Sequence, residues 1–121
     1  NPAEVRHGEH KGMRTLVEEE DWARSLLKSL DGDQKKIAVV DPMAPADILT
    51  RNYRVADPNS TPEGIGFTSL SDRQREQLVD LVRHYVTRSS EELASNYWRH
   101  LEKIGFDRWT FARWRRGSCG C

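Results

Sequence analysis

Two helical signatures lie back to back between Ser71 and Ile104, and they constrain the fold of this chain more than any other stretch. Ser71-Asp72-Arg73-Gln74 has the Ser-x-x-Gln form of a capping box: the serine can accept from the amide of Gln74, and the glutamine side chain can reach back. Leu78, Leu81, Val82, Tyr85 and Val86 then recur at the three- and four-residue spacing of one helical face, with Arg73, Arg75, Glu76 and Arg83 on the solvated side. Ser89-Ser90-Glu91-Glu92 repeats the capping pattern, and its two acids suit the positive end of a helix dipole. Leu93, Ala94, Tyr97, Trp98, Leu101 and Ile104 make the second stripe, and Gly105 is placed to close it, since glycine takes positive φ without a Cβ clash. Two helices joined by so short a turn are expected to pack as an antiparallel hairpin over residues 71–104.

The rest of the chain reads as material packed on that hairpin. Residues 1–14 are polar, hold Gly8 and Gly12, and show no periodicity, which predicts a loop. Thr15 stands three residues ahead of Glu18, and Leu16 to Leu30 predicts a helix carrying Trp22, Leu26 and Leu30 on one stripe, with Ala23 and Leu27 beside it. Glu18, Glu19, Glu20 and Asp21 crowd its first turns. Asp31-Gly32-Asp33 interrupts it. Gln34 to Val40 predicts a short helix, although its apolar run also fits a strand, and Asp41-Pro42 stops it. Ala44 to Leu49 suggests one more helical turn. Residues 50–69, with Pro58, Pro62, Gly64 and Gly66, read as a long irregular connection. After Gly105, the spacing of Phe106, Trp109, Phe111 and Trp114 suggests a short terminal strand, and residues 107–121 form a basic, aromatic tail. The expected fold class is therefore mainly α: a single small helical domain over 1–121, built on the hairpin.

Charge narrows the partners. Nineteen basic and nineteen acidic residues cancel, so the chain as a whole offers no electrostatic footprint for nucleic acid or a membrane surface. The distribution is uneven: from Asp107 onward there are four arginines and one aspartate. Arg108 to Arg116 interleaves these cations with aromatics, a pattern that can take single-stranded nucleic acid; the competing reading has the aromatics covering the hairpin while the arginines stay wet. With 36% hydrophobic residues the core is expected to be modest. No apolar run reaches the length of a membrane span. The chain opens at Asn1, so the sequence fits either a cytoplasmic protein or one exported with its signal removed. Cys119 and Cys121 are too close for an ordinary loop-closing disulfide and too few for a zinc site.

His7-Gly8-Glu9-His10 is the local cluster of metal-capable side chains. Imidazole and carboxylate together suit zinc or a similar divalent metal, with His7 and His10 as ligands. The glycines exclude the helical His-Glu-x-x-His geometry, and a third ligand must come from elsewhere. The plainer reading is a solvated loop, with His84 and His100 as helix-surface residues. Asp41, Asp47 and Asp57 punctuate the central loops, where a carboxylate can act as a general base, although aspartate before proline or at a helix start is also ordinary turn chemistry. The serines offer no Gly-x-Ser-x-Gly elbow, and Gly64-Ile65-Gly66 is too short for a phosphate loop.

His10-Lys11-Gly12, Glu19-Glu20-Asp21, Ala46-Asp47-Ile48-Leu49-Thr50, Ala56-Asp57-Pro58, Pro62-Glu63-Gly64 and the helix Leu70 to Tyr85 together resemble the bacterial family catalogued as domain of unknown function 3500. The resemblance runs from about Val5 to Phe111. It implies a longer chain, with a further N-terminal half and a C-terminal part richer in strands, and it implies no activity. Past Phe111-Ala112 this sequence departs from the family pattern, which suggests that Arg113 to Cys121 is a truncated or frame-shifted end.

Two functions remain open on the sequence. In one, the chain is a helical module of a larger bacterial protein that packs on a partner, on missing parts of that protein, or on a second copy of itself. In the other, it is a small metal-assisted hydrolase with His7 and His10 holding the metal and Glu9 or Asp47 as base.

Overall fold

A computed structural model of the chain describes residues 4–41, 54–55 and 61–114. The expected helical turn at 44–49, most of the central connection and the end of the tail lie outside these residues.

Four helices follow in order: α1 (Val17–Ser29), α2 (Gly32–Ala38), α3 (Asp72–Val86) and α4 (Glu91–Ile104). Four short strands accompany them: β1 (Val39–Asp41), β2 (Ile65–Gly66), β3 (Thr110–Phe111) and β4 (Arg113–Trp114). The fold is mainly α, as the periodicity predicts. The run Gln34–Val40 is divided between the two readings it allowed. Its first part completes α2, and Val39 and Val40 leave the helix to start β1. β1 pairs in parallel with β4, Val39 opposite Arg113, and β2 pairs antiparallel with β3, Ile65 opposite Phe111.

The core forms where α1 crosses α3 and the strands close the end. Leu26 and Leu30 of α1, Leu78 and Leu81 of α3, Ala38, Ile65, Leu70 and Phe111 are buried together. Leu26 is fully buried, and such a side chain contributes about 1.5–3 kcal/mol relative to exposure. The terminal aromatics cover this core. Phe67, Phe106 and Trp109 pack edge-on and tilted, with ring centroids 4.6–6.3 Å apart. Phe111 is buried within the core.

Helix starts follow the capping logic unevenly. At α2, Asp31 Oδ1 accepts from the amides of Asp33 and Gln34, and Gln34 Oε1 accepts from the Asp31 amide at 3.0 Å. At α3, Gln74 Oε1 accepts from the Ser71 amide at 2.8 Å, the reach-back expected there. The two glutamines then bond each other: Gln74 Nε2 donates to Gln34 Oε1 at 3.0 Å, and Gln34 Nε2 donates to Gln74 Oε1 at 3.1 Å. One polar contact thus ties two helix starts together. Thr15 caps nothing, because α1 begins one residue later on Leu16, which has no side-chain acceptor. The second serine box does not form either. Ser89 Oγ donates to the Val86 carbonyl at 2.7 Å, completing the end of α3, and α4 starts on Ser90 without a side-chain cap. Gly105 closes α4 as expected, with φ 86° and its amide donating to Leu101 O at 3.1 Å.

α3 packs chiefly on α1, while α4 touches α3 lightly and buries none of its own residues. The turn between α3 and α4 spans only residues 87–90. Beyond it the helices part around an open groove of about 720 Å³ lined by Arg83, Val86, Ala94, Ser95, Trp98 and Arg99.

Candidate functional site

The sequence pointed first to the N-terminal loop. The Val5 amide donates to Met13 O at 2.9 Å and the Gly12 amide to Val5 O at 2.8 Å, so residues 5–13 fold back on themselves, with Gly8 and Gly12 at positive φ. His7, Glu9 and His10 sit in this excursion and are all exposed. Arg14 anchors its end: the guanidinium donates to both carboxylate oxygens of Asp21, at 2.7 and 3.0 Å, and to Glu20 at 3.2 Å. Together with Arg24, Arg14 holds the Glu20 carboxyl below the usual range, and hydrogen bonding to Arg14 does the same for Asp21. Asp47, the other candidate base, lies outside the described residues. Among the described residues, the loop histidines are not joined by a third metal-capable side chain, and no geometry supports the hydrolase reading.

A different cluster forms where α1 meets α3. Glu19 is only 3% exposed, although it stands in the acidic run that charge patterning assigns to solvent. Its place is set by helical period. Residue 19 precedes Ala23 by four and Leu26 by seven, so it continues the face that packs on α3. Opposite it, His84 Nε2 lies 3.4 Å from Glu19 Oε1 and 3.9 Å from Glu18 Oε2. Arg88, in the turn just past the end of α3 and half exposed, forms an ion pair with Glu19 Oε1. Trp22 tilts against the imidazole with ring centroids 5.0 Å apart. The Glu19 carboxyl titrates below its ordinary value. Its own peptide N–H is the largest cause, burial opposes it, and the charges of Arg88 and His84 add to it. Glu19 Oε2, by contrast, lacks a hydrogen bond of good geometry.

The third feature is the outer face of α4. Leu93, Tyr97 and Ile104 are 52, 61 and 49% exposed, and His100 on the same face is exposed too. Ala94, Trp98 and Leu101 turn toward the rest of the molecule and are half-buried. Trp98 anchors that inner side: Arg83 stacks over its ring at 4.4 Å, its indole N–H donates to Glu102 at 2.7 Å, and it lies 5.9 Å from Phe106.

A family model described as "Protein of unknown function (DUF3500)" matches residues 1–118, and so runs past Phe111-Ala112, where the sequence is expected to leave the family pattern. The chain belongs to this family. No curated protein and no solved structure matches it. For this DUF3500 chain the site must therefore be argued from its own side chains. Glu19 was legible only as an acid at an apolar phase of the helix, and His84 only as a histidine beside a stripe. Their meeting depends on the α1–α3 crossing, which no local pattern encodes. No helix among the described residues of the DUF3500 chain is long and apolar enough to cross a membrane.

Proposed function

We propose that this chain is a helical interaction module that pairs with a second copy of itself through the outer face of α4. The observation that carries this reading is the exposure of Leu93, Tyr97 and Ile104 on a helix that buries none of its residues. Apolar surface held in a continuous stripe, rather than scattered, marks a contact face. The stripe is also self-complementary. Positions 93, 97, 100 and 104 are spaced four, three and four, so the pattern reads the same from either end. Two antiparallel copies would place Leu93 over Ile104 of the second copy and Tyr97 over its His100, the two-fold arrangement of an isologous contact. Charge follows the same symmetry. Glu92 flanks the stripe near one end and Lys103 near the other, so an antiparallel pair brings unlike charges together at both ends.

One helix face is a small interface, so pairing should fall at about 1–100 μM. Size-exclusion chromatography with light scattering over that range tests it. The expected result is a concentration-dependent dimer that Leu93→Ser/Tyr97→Ser returns to monomer with unchanged far-ultraviolet circular dichroism. Glu92→Lys should weaken the dimer, and adding Lys103→Glu should restore it. A monomer at every concentration, or a dimer indifferent to the Leu93 and Tyr97 changes, overturns the reading.

A further inference from the structure

We infer that Glu18, Glu19 and His84 form a binding site for a divalent transition-metal ion at the α1–α3 junction. One ligand atom from each of the three side chains lies within 4.8 Å of the other two. The Nε2–Oε1 separation of 3.4 Å between His84 and Glu19 is the edge expected when ligands sit about 2.1 Å from one ion in tetrahedral array, about 3.4 Å. The 3.9 Å from His84 to Glu18 closes to that value with a small rotation of Glu18, whose side chain is 63% exposed and free to turn. Two carboxylates and one imidazole are the donor set of a borderline cation such as zinc or cobalt, rather than of calcium or a soft ion.

The second observation is the state of the buried acid. Glu19 is 3% exposed, and its Oε2 lacks a hydrogen bond, while Oε1 is met by Arg88 and lies 3.4 Å from His84 Nε2. A structural brace between helices would be expected to satisfy Oε2 as well, since leaving a buried polar group unpaired costs about 1–3 kcal/mol. Arg88 meets Glu19 at Oε1 and is itself half exposed. It is a competitor for one oxygen, not a filler of the site. A cation between the three ligands would draw on Glu19 and His84 together and displace Arg88 toward solvent.

Cobalt(II) reports on this site directly, because the Trp22 ring is 5.0 Å from the His84 ring and an open-shell ion bound there quenches indole emission. Titrating the full chain with Co²⁺ should give saturable tryptophan quenching, most of it lost in Trp22→Phe, together with a visible d–d band. His84→Gln and, as the exposed variant least able to disturb folding, Glu18→Gln should each weaken binding by about tenfold or more. Arg88→Gln should tighten it several-fold by removing the competing cation, an effect that a purely structural Arg88–Glu19 pair would not produce. The inference is overturned by absence of saturable binding, by binding that Glu18→Gln leaves unchanged, by an Arg88→Gln variant that binds more weakly, or by a signal abolished by His7→Gln/His10→Gln or Cys119→Ser/Cys121→Ser instead.

Discussion

The Gln34–Gln74 contact joins two helix starts, and its removal has a calculable cost. Gln74 is 7% exposed, and its amide makes four hydrogen bonds: it accepts from the Ser71 amide and from Gln34 Nε2, and it donates to Ser29 O and to Gln34 Oε1, all at 2.8–3.1 Å. Each is worth about 1 kcal/mol net. Truncation strands the Ser29 carbonyl and the Ser71 amide near the core, although water entering the space recovers part of the loss. Gln74→Ala should therefore destabilise the fold by about 2–3 kcal/mol, lowering the melting temperature by roughly 4 °C per kcal/mol. Because two of the four bonds are shared with Gln34, the double variant Gln34→Ala/Gln74→Ala should lose about 1–2 kcal/mol less than the sum of the singles. Urea denaturation followed by circular dichroism, with equal slopes for all four proteins, measures both quantities. A Gln74→Ala loss below about 0.5 kcal/mol, or strict additivity with Gln34→Ala, refutes the claim that this pair couples α2 to α3.

Two further outcomes follow from the same packing. Gly64 has φ +98°, and a Cβ there would lie 2.4 Å from Phe111 O and 2.7 Å from the Cβ of Ala112. Gly64→Ala should thus cost more than about 2 kcal/mol, from the left-handed backbone and from prising β3 off β2, and a neutral substitution in the same urea assay would contradict that placement. Acid stability is set partly by Arg14. It holds the Asp21 carboxyl low in the folded state, and Arg24 with Arg14 holds that of Glu20 low, so their contribution is present above the unfolded carboxylate range and is lost as pH falls through the depressed folded values. Arg14→Gln should unfold at a higher pH on acidification than the parent and converge with it at the acid extreme; a difference that persists unchanged to low pH would assign Arg14 a purely steric role.

Which parts of this architecture a reader of the sequence can recover depends on how local their causes are. α1, α3 and α4 are visible because three-to-four spacing of leucines runs over several turns and is bounded by Asp, Ser and Gly. The strands are visible only in part: β3 and β4 fall where the aromatic spacing after Gly105 suggests a terminal strand and β1 at the end of an apolar run that also fits one, whereas the two residues of β2 are too few to show alternation, and Ile65 finds Phe111 only through the closed fold. Patterning also misassigned particular residues. Tyr85 shares the α3 stripe yet is 55% exposed, because α1 covers only part of that face. Arg75, expected in solvent, is half-buried and donates to the carbonyls of Phe67 and Thr68 at 3.2 and 2.8 Å, holding the turn ahead of α3. The N-terminal histidines drew attention as a written motif, whereas Glu19 and His84 are separated by sixty-five positions and carry no motif at all.

The same reasoning explains why α4 is amphipathic without being part of the core. A stripe of apolar residues states that a helix face wants cover, not which surface supplies it. Here α1, the short strands and Phe111 already close the interior around Leu26 and Leu81. α4 is held from its other side, through Trp98 between Arg83 and Phe106. A helix of 14 residues is marginal in isolation, so that one-sided anchorage keeps Leu93, Tyr97 and Ile104 folded into a ready-made row. A disordered segment of the same composition would lose its ordering entropy on contact, whereas α4 presents the row already formed. The apolar residues missing from the core are thus the ones best placed to meet another molecule.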